Sequence, residues 1–94
     1  MTPPPNRDYR ISAHARSEMR RRAIDEETVK QVLFRPEQQI PVRSWRVRRQ
    51  SRITMDESRR RYLVRVIVDV DRDVPEVVTV YRTSKIEKYW RAET

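Results

Sequence analysis

The sequence predicts an α+β domain in which two N-terminal helices pack on a three- to four-stranded antiparallel sheet, with a short helix at the C-terminal end. Helix-capping residues precede apolar residues at helical spacing in the first third of the chain, whereas the rest alternates between apolar and polar residues as strands do. With 94 residues, the chain is long enough for one small domain. We expect residues 11–94 to form this domain and the proline-rich residues 1–10 to be disordered.

The first helix is predicted to begin after Ser12, a residue type that caps helices well, and to end at about Ala23. Ala15 and Met19 lie four positions apart, so they share one face of this helix. Most of the remaining surface is arginine, and the apolar stripe is therefore narrow.

The second helix is predicted to begin after Asp25, another good N-cap residue, and to end before Pro36. Ile24 and Val29 occupy the two positions of a hydrophobic staple, which fixes how the chain enters a helix. The residues expected to face the core are Val29, Val32 and Leu33.

Alternation of apolar and polar residues predicts strands in four segments, which are Gln39–Arg43, Trp45–Thr54, Leu63–Val70 and Val77–Thr83. The first is assigned to an edge of the sheet because Pro41 has no N–H to donate to a central ladder. A polar segment that contains Pro75 connects the last two, as expected of a hairpin loop.

The same alternation separates the two faces of this hairpin. Its valines must share the buried face, so Arg65 lies on the opposite face together with Thr79 and Tyr81. An arginine in the middle of an apolar strand requires a partner or an open cleft. The valines predicted to pack against the helices are Val64, Val66, Val68, Val78 and Val80.

The residues after the last strand predict an anion site. Ser84 is expected to cap a short helix, with Glu87 three positions later as in a capping box. The unpaired N–H groups of the first helical turn would then face an anion beside Arg82 and Lys85.

The net charge of +8 predicts an anionic partner, and all but three of the 22 basic residues are arginine. Nine arginines stand against two acidic residues between Arg43 and Arg65. Because arginine binds phosphate through two parallel hydrogen bonds and stacks on bases, nucleic acid is the expected partner. The alternative is a solvated strand surface in an arginine-rich protein. The candidate nucleic-acid-binding residues are Arg43, Trp45, Arg48, Arg52, Arg61, Thr79 and Arg82.

The chain has no cysteine and one histidine, so we expect neither a metal site nor a cofactor. It also lacks the apolar stretch of a signal peptide or a membrane-spanning helix. We therefore expect a cytoplasmic protein without a membrane partner.

A set of short motifs carries a family resemblance: His14-Ala15 with Met19, Arg22 and Ile24, the valine-rich strand around Arg65, and Thr79-Val80-Tyr81-Arg82. On these motifs the segment from Ile11 to Trp90 resembles the bacterial domain-of-unknown-function family 4258, which is grouped with the RelE/ParE-like toxins. The chain departs from the family at two places. Ala23 stands where the family usually has a glycine, and Met55-Asp56-Glu57-Ser58 replaces the glycine-containing hairpin typical of the family.

The resemblance implies a small basic toxin that cleaves RNA, or an inactive relative of such a toxin, together with a cognate antitoxin protein. The expected substrate of an active toxin is mRNA, either free or on the ribosome. Two other functions remain open. A toxin of the same fold could act on an acidic protein, and a non-catalytic module could bind RNA or DNA through counterion release.

Cleavage of RNA without a metal requires a base for the 2′-hydroxyl, an acid for the leaving oxygen and cations for the developing charge. Arg65 and Arg82 are candidate phosphate clamps, and Tyr81 and Lys85 are candidate proton donors. The resemblance adds His14 to this set. We predict that His14, Arg65, Tyr81 and Lys85 line one pocket at the C-terminal end of the Val77–Thr83 strand.

Overall fold

A computed structural model describes residues 8–55 and 59–92. In chain order the elements are β1 (Arg10–Ile11), α1 (Ala13–Arg21), α2 (Glu26–Phe34), β2 (Gln38–Arg43), β3 (Arg46–Met55), β4 (Arg60–Asp69), β5 (Glu76–Thr83) and α3 (Ile86–Tyr89). The strands form one sheet in the order β1-β5-β4-β3-β2. Within the described residues, β1 runs parallel to β5 and the other neighbours are antiparallel.

The predicted fold class is therefore wrong, because the sheet has five strands and is mixed. The sequence did not predict β1, since two residues are too few to show an alternating pattern. Arg10 belongs to this strand, although it lies in the segment 1–10 that was predicted to be disordered. Two other predictions lie outside the described residues: the structure of residues 1–7 and the turn at residues 56–58.

Both helix starts were predicted at the correct residues. The Ser12 hydroxyl accepts a hydrogen bond from the N–H of Ala15 at 3.0 Å, and the Asp25 carboxylate accepts one from the N–H of Thr28 at 2.8 Å. Each bond satisfies one of the N–H groups that a helix leaves unpaired in its first turn. Ile24 and Val29 are both buried, as the staple spacing requires.

The core lies between α1, α2 and one face of the sheet. Four of the five predicted valines belong to it, and Val78 does not, because the β4–β5 register shifts between Ile67 and Val68. This β-bulge leaves Val78 unpaired and brings Val77 into the buried row opposite Val68. The core residues are Ala15, Met19, Ile24, Val29, Val32, Leu33, Val64, Val66, Val68, Val77 and Val80.

The end of α1 holds Ala23 in the left-handed backbone region, with φ at 53°. The N–H of Ile24 donates to the carbonyl of Met19 at 2.9 Å and the N–H of Ala23 donates to the carbonyl of Arg20, which together form a Schellman motif. Glycine is the usual residue at this position because a Cβ atom destabilises the left-handed conformation.

We therefore expect Ala23→Gly to raise the free energy of unfolding by about 1 kcal/mol. Urea denaturation of the two proteins measures the difference. Ser17→Gly is the control, since Ser17 is an exposed residue inside α1. A glycine there should lower the free energy of unfolding by about 0.5 kcal/mol. A loss of stability at both positions would contradict the strain assigned to Ala23.

Candidate anion-binding site

The side of the sheet away from α1 and α2, here called the second face, carries most of the predicted site. Residues that pair directly across neighbouring strands share a face. Arg65 of β4 pairs with Gln50 of β3 and with Tyr81 of β5, and Gln50 pairs in turn with Gln38 of β2. One row across the second face is therefore Gln38, Gln50, Arg65 and Tyr81. The sequence alternation placed Arg65 and Tyr81 together correctly.

The guanidinium of Arg65 is held by two neutral groups. Its Nε donates to the amide oxygen of Gln50 at 2.8 Å, and one terminal nitrogen, Nη1, donates to the hydroxyl of Tyr81 at 2.6 Å. The ring of Tyr89 in α3 lies 5.0 Å from the guanidinium carbon, within the range of a cation–π contact. Arg65 is only 4% exposed, so these contacts replace almost all of its water.

No carboxylate in the described chain forms an ion pair with Arg65. Burial lowers the pKa of Arg65 below its ordinary value, and the neighbouring positive charge of Arg48 adds to this effect. A buried and uncompensated cation is costly unless an anion joins it. The arrangement therefore favours an anionic ligand.

Arg48 provides a second unneutralised cation beside Arg65. It lies in the next row of the second face, where it pairs with Ile67, and its Nε is buried without a hydrogen-bond partner. Among the described residues it is the only unpartnered side-chain nitrogen or oxygen closed off from solvent, so the second terminal nitrogen of Arg65, Nη2, borders solvent. An anion approaching from solvent can therefore reach both guanidinium groups.

Helix α1 brings His14 to the edge of this site. The backbone N–H of Ser12 donates to the carbonyl of Val77 at 2.9 Å, and its hydroxyl donates to the carbonyl of Val78 at 3.2 Å. These bonds attach the start of α1 to the bulge of β5. The exposed imidazole of His14 consequently lies with its Nε2 3.4 Å from the hydroxyl of Thr79, two residues before Tyr81 on the same face.

Lys85 does not join the other predicted catalytic residues. It is exposed and lies beyond Thr83, the end of β5, whereas His14 contacts Thr79, about 13 Å back along the strand. The predicted cap is also wrong, because Lys85 rather than Ser84 precedes α3 and no side chain caps it. With only four residues, α3 cannot supply the expected anion site.

The predicted arginine stripe is divided between different environments. Arg82 lies on the helix side of the sheet, where it pairs with Val64 and stacks on Tyr62 at 4.4 Å. Arg52 lies on the second face but forms an ion pair with Glu37 at 2.7 Å and stacks on Trp90 at 4.0 Å. Arg43, Trp45 and Arg61 are exposed, with Trp45 in the β2–β3 turn.

The C-terminal residues cover part of the second face through polar contacts. The amide nitrogen of Gln50 donates to the carbonyl of Tyr89 at 3.4 Å, and the Gln38 side chain bonds both the carbonyl and the N–H of Arg91, at 2.7 and 3.1 Å. Gln38 and Gln50 were not among the predicted site residues. The available signal was the position of Gln50 on the polar side of the alternating β3 segment, whereas Gln38 precedes the predicted Gln39–Arg43 strand.

The clefts of the helix side do not coincide with this site. One of about 570 Å³ is lined by residues that include Tyr9, Lys30 and Phe34, and it includes neither Arg48 nor Arg65. The described residues contain no group of side chains able to hold a metal ion. None of the described helices is long and apolar enough to cross a membrane. A further cleft of about 450 Å³ lies on the second face, where its lining includes Arg52 of β3 and residues of α3.

At one end of the second face, Asp69 accepts two hydrogen bonds from the guanidinium of Arg46, at 2.6 and 3.2 Å. These bonds hold the pKa of Asp69 below its ordinary value. A carboxyl whose pKa is lower in the folded state contributes stability above its unfolded pKa and loses it as the pH falls through the folded pKa.

Asp69→Asn should therefore lower the free energy of unfolding at pH 7 and reduce the difference between pH 7 and pH 2. Chemical denaturation at both pH values measures this change. Asp71→Asn is the control, because Asp71 is exposed and its nearest ion pair, with Arg72, is 3.9 Å long. An equal effect of the two substitutions would contradict the role given to the Arg46–Asp69 pair.

Comparison with known families identifies the chain. The family model described as Domain of unknown function (DUF4258) matches residues 11–82. The chain belongs to this family. The DUF4258 match covers α1 through β5 almost completely, and therefore includes His14, Arg48, Gln50, Arg65, Thr79 and Tyr81. No curated protein and no solved structure matches the chain.

Proposed function

We propose that this DUF4258 protein is a metal-independent endoribonuclease of the RelE/ParE-like toxin type, which binds a phosphate of RNA at Arg65 and Arg48. The observation that carries the proposal is the buried guanidinium of Arg65, which is supported by an amide and a phenol and paired with no carboxylate of the described chain. A phosphodiester would supply the missing negative charge through the Nη2 atom of Arg65, which borders solvent. Cations placed in this way stabilise the additional charge that develops on phosphate in the transition state.

The proposed reaction is a transesterification within the RNA strand. The 2′-oxygen of one nucleotide attacks the adjacent phosphorus, and the bond from phosphorus to the 5′-oxygen breaks. His14 takes the proton of the 2′-hydroxyl, and Tyr81 gives its proton to the leaving 5′-oxygen. The products are a 2′,3′-cyclic phosphate and a 5′-hydroxyl, and transfer of a proton from His14 back to Tyr81 through solvent restores the protein.

The positions of the two groups suit these roles. His14 contacts Thr79, and Thr79 and Tyr81 are two residues apart on one face of β5, about 7 Å along the strand. This separation leaves room for one phosphate between them. The hydroxyl of Tyr81 accepts a hydrogen bond from Arg65, so its own hydrogen remains available for donation.

The proposed partners are RNA, in particular mRNA either free or on the ribosome, and a cognate antitoxin protein. The net charge of +8 favours RNA, because the RNA backbone is negatively charged. For the same reason it favours an antitoxin that covers the second face with acidic residues. Within the second face, Arg48 is a predicted nucleic-acid contact whose buried Nε has no hydrogen-bond partner, whereas Arg52 is paired with Glu37.

Incubation of the purified protein with RNA in the presence of EDTA tests the proposal. We expect fragments that end in a 2′,3′-cyclic phosphate and begin with a 5′-hydroxyl, both with naked RNA and with translating ribosomes as separate substrates. Salt-dependent binding of RNA without cleavage in either assay would replace the enzyme by a nucleic-acid-binding module. Absence of both binding and cleavage would favour a toxin directed at an acidic protein.

A further inference from the structure

The side chain of Gln50 is fully buried in the middle of the second face, at 0% exposure. Its amide oxygen accepts the hydrogen bond from Nε of Arg65, and its amide nitrogen donates to the side-chain oxygen of Gln38 at 2.7 Å. Gln38 uses the same oxygen to accept from the N–H of Arg91. The orientation of the Gln50 amide is consequently fixed, with its oxygen towards Arg65.

A carboxylate would be the stronger partner for a buried guanidinium, because it adds the attraction of opposite charges and can accept two parallel N–H bonds. The same face contains such pairs on either side of Gln50, where Asp69 binds Arg46 and Glu37 binds Arg52. Only the central arginine of these three is held by an amide. The amide fixes the direction of the guanidinium as a carboxylate would, but it leaves the positive charge uncompensated.

We infer that Gln50 is a positioning residue, which holds Arg65 in place while keeping its charge available for a phosphate-type anion. This inference rests on the proposed function, in that it takes Arg65 as the group that binds the phosphate of RNA. It adds one requirement: the side chain that accepts the hydrogen bond from Nε of Arg65 must be uncharged. Gln38 only accepts from the Gln50 amide nitrogen, and a glutamate at position 38 could accept the same hydrogen bond.

The test is Gln50→Glu, which keeps the size and the acceptor oxygen of the side chain and adds a negative charge beside Arg65. Two probes are titrated into the purified protein: inorganic phosphate and a single-stranded oligodeoxynucleotide, which has no 2′-hydroxyl and cannot be cleaved by the proposed reaction. The Nε–H resonance of Arg65 in nitrogen-15 NMR spectra reports phosphate binding, and fluorescence anisotropy reports oligonucleotide binding. Thermal unfolding reports the fold.

Gln38→Glu is the matched control. Gln38 lies in the same row of the second face and receives the same charge, but it contacts Gln50 rather than Arg65. We expect Gln50→Glu to weaken binding of both probes by at least about tenfold, and Gln38→Glu to weaken it by less than about threefold. Equal weakening by the two variants would show a general effect of charge and would overturn the inference.

Gln50→Met provides a second variant in case the buried glutamate prevents folding. It removes the hydrogen bond to Arg65 without adding charge, so phosphate affinity should fall because Arg65 loses its fixed direction. Wild-type phosphate affinity in either Gln50 variant would overturn the inference. A wild-type protein that binds phosphate but cleaves no RNA would leave the role of Gln50 intact and reject the proposed enzyme. RNA cleavage at the wild-type rate by Gln50→Glu would reject the role of Gln50 alone.

Discussion

Arg65→Met should lower the rate of RNA cleavage by about 100- to 1,000-fold, equivalent to roughly 3–4 kcal/mol of transition-state stabilisation. Methionine fills much of the same space without a charge or a donor, so the substitution removes the cation that meets the developing charge of the phosphorane. Single-turnover cleavage of an RNA oligonucleotide measures the loss, and it separates the chemical step from binding.

The effect of Arg65→Met on stability should be small. The variant no longer buries a charge, which favours the folded state, but the amide oxygen of Gln50 and the hydroxyl of Tyr81 lose their donor. These opposing effects should leave the free energy of unfolding within about 2 kcal/mol of the wild type. A large loss of activity without a comparable loss of stability would identify Arg65 as a functional residue.

Arg82→Met is the control for this experiment. Arg82 belongs to the neighbouring strand β5 and carries the same charge, but it lies on the helix side of the sheet against Tyr62. Its removal should change cleavage only about threefold, through the general loss of one positive charge. Equal loss of cleavage in both variants would mean that total charge, and not the geometry of Arg65, determines activity.

The residues that sequence reasoning placed correctly are those whose position depends on local alternation. Arg65 and Tyr81 were assigned to one face because side chains in a strand alternate. Their direct pairing is an observation of the structure, since parity alone does not set the register. The bulge at Val78 could not be predicted in this way. It depends on which residues of β4 and β5 pair, and it moves Val77 into the core instead of Val78.

The wrong cap at Ser84 and the missed strand β1 also depend on contacts that the local sequence pattern does not show. Ser84 has the spacing of an N-cap, but the hydroxyl of Thr83 accepts the hydrogen bond from the N–H of Lys85, and the helix begins one residue later without a side-chain cap. β1 is held by the neighbouring residues of β5 rather than by a pattern of its own. The role of Gln50 depends on contacts across three strands, which the sequence alone does not specify.

Replacement of His14 by alanine should reduce RNA cleavage by about 100- to 10,000-fold, the usual contribution of general acid–base catalysis. The reason is its position: the imidazole lies 3.4 Å from Thr79 at the edge of the site and is exposed, so a 2′-hydroxyl bound between Arg65 and α1 can reach it. Histidine is the residue type whose charge most readily changes between about pH 5 and 8. The pH–rate profile of the variant should therefore lose the limb on which activity rises with pH.

Added imidazole should restore part of the activity of His14→Ala. The control is Thr79→Val, which removes only the hydroxyl beside the imidazole ring and should keep the rising limb of the pH–rate profile. An unchanged pH profile in His14→Ala, with cleavage at the wild-type rate, would show that another group takes the proton and that His14 is an ordinary surface residue of α1.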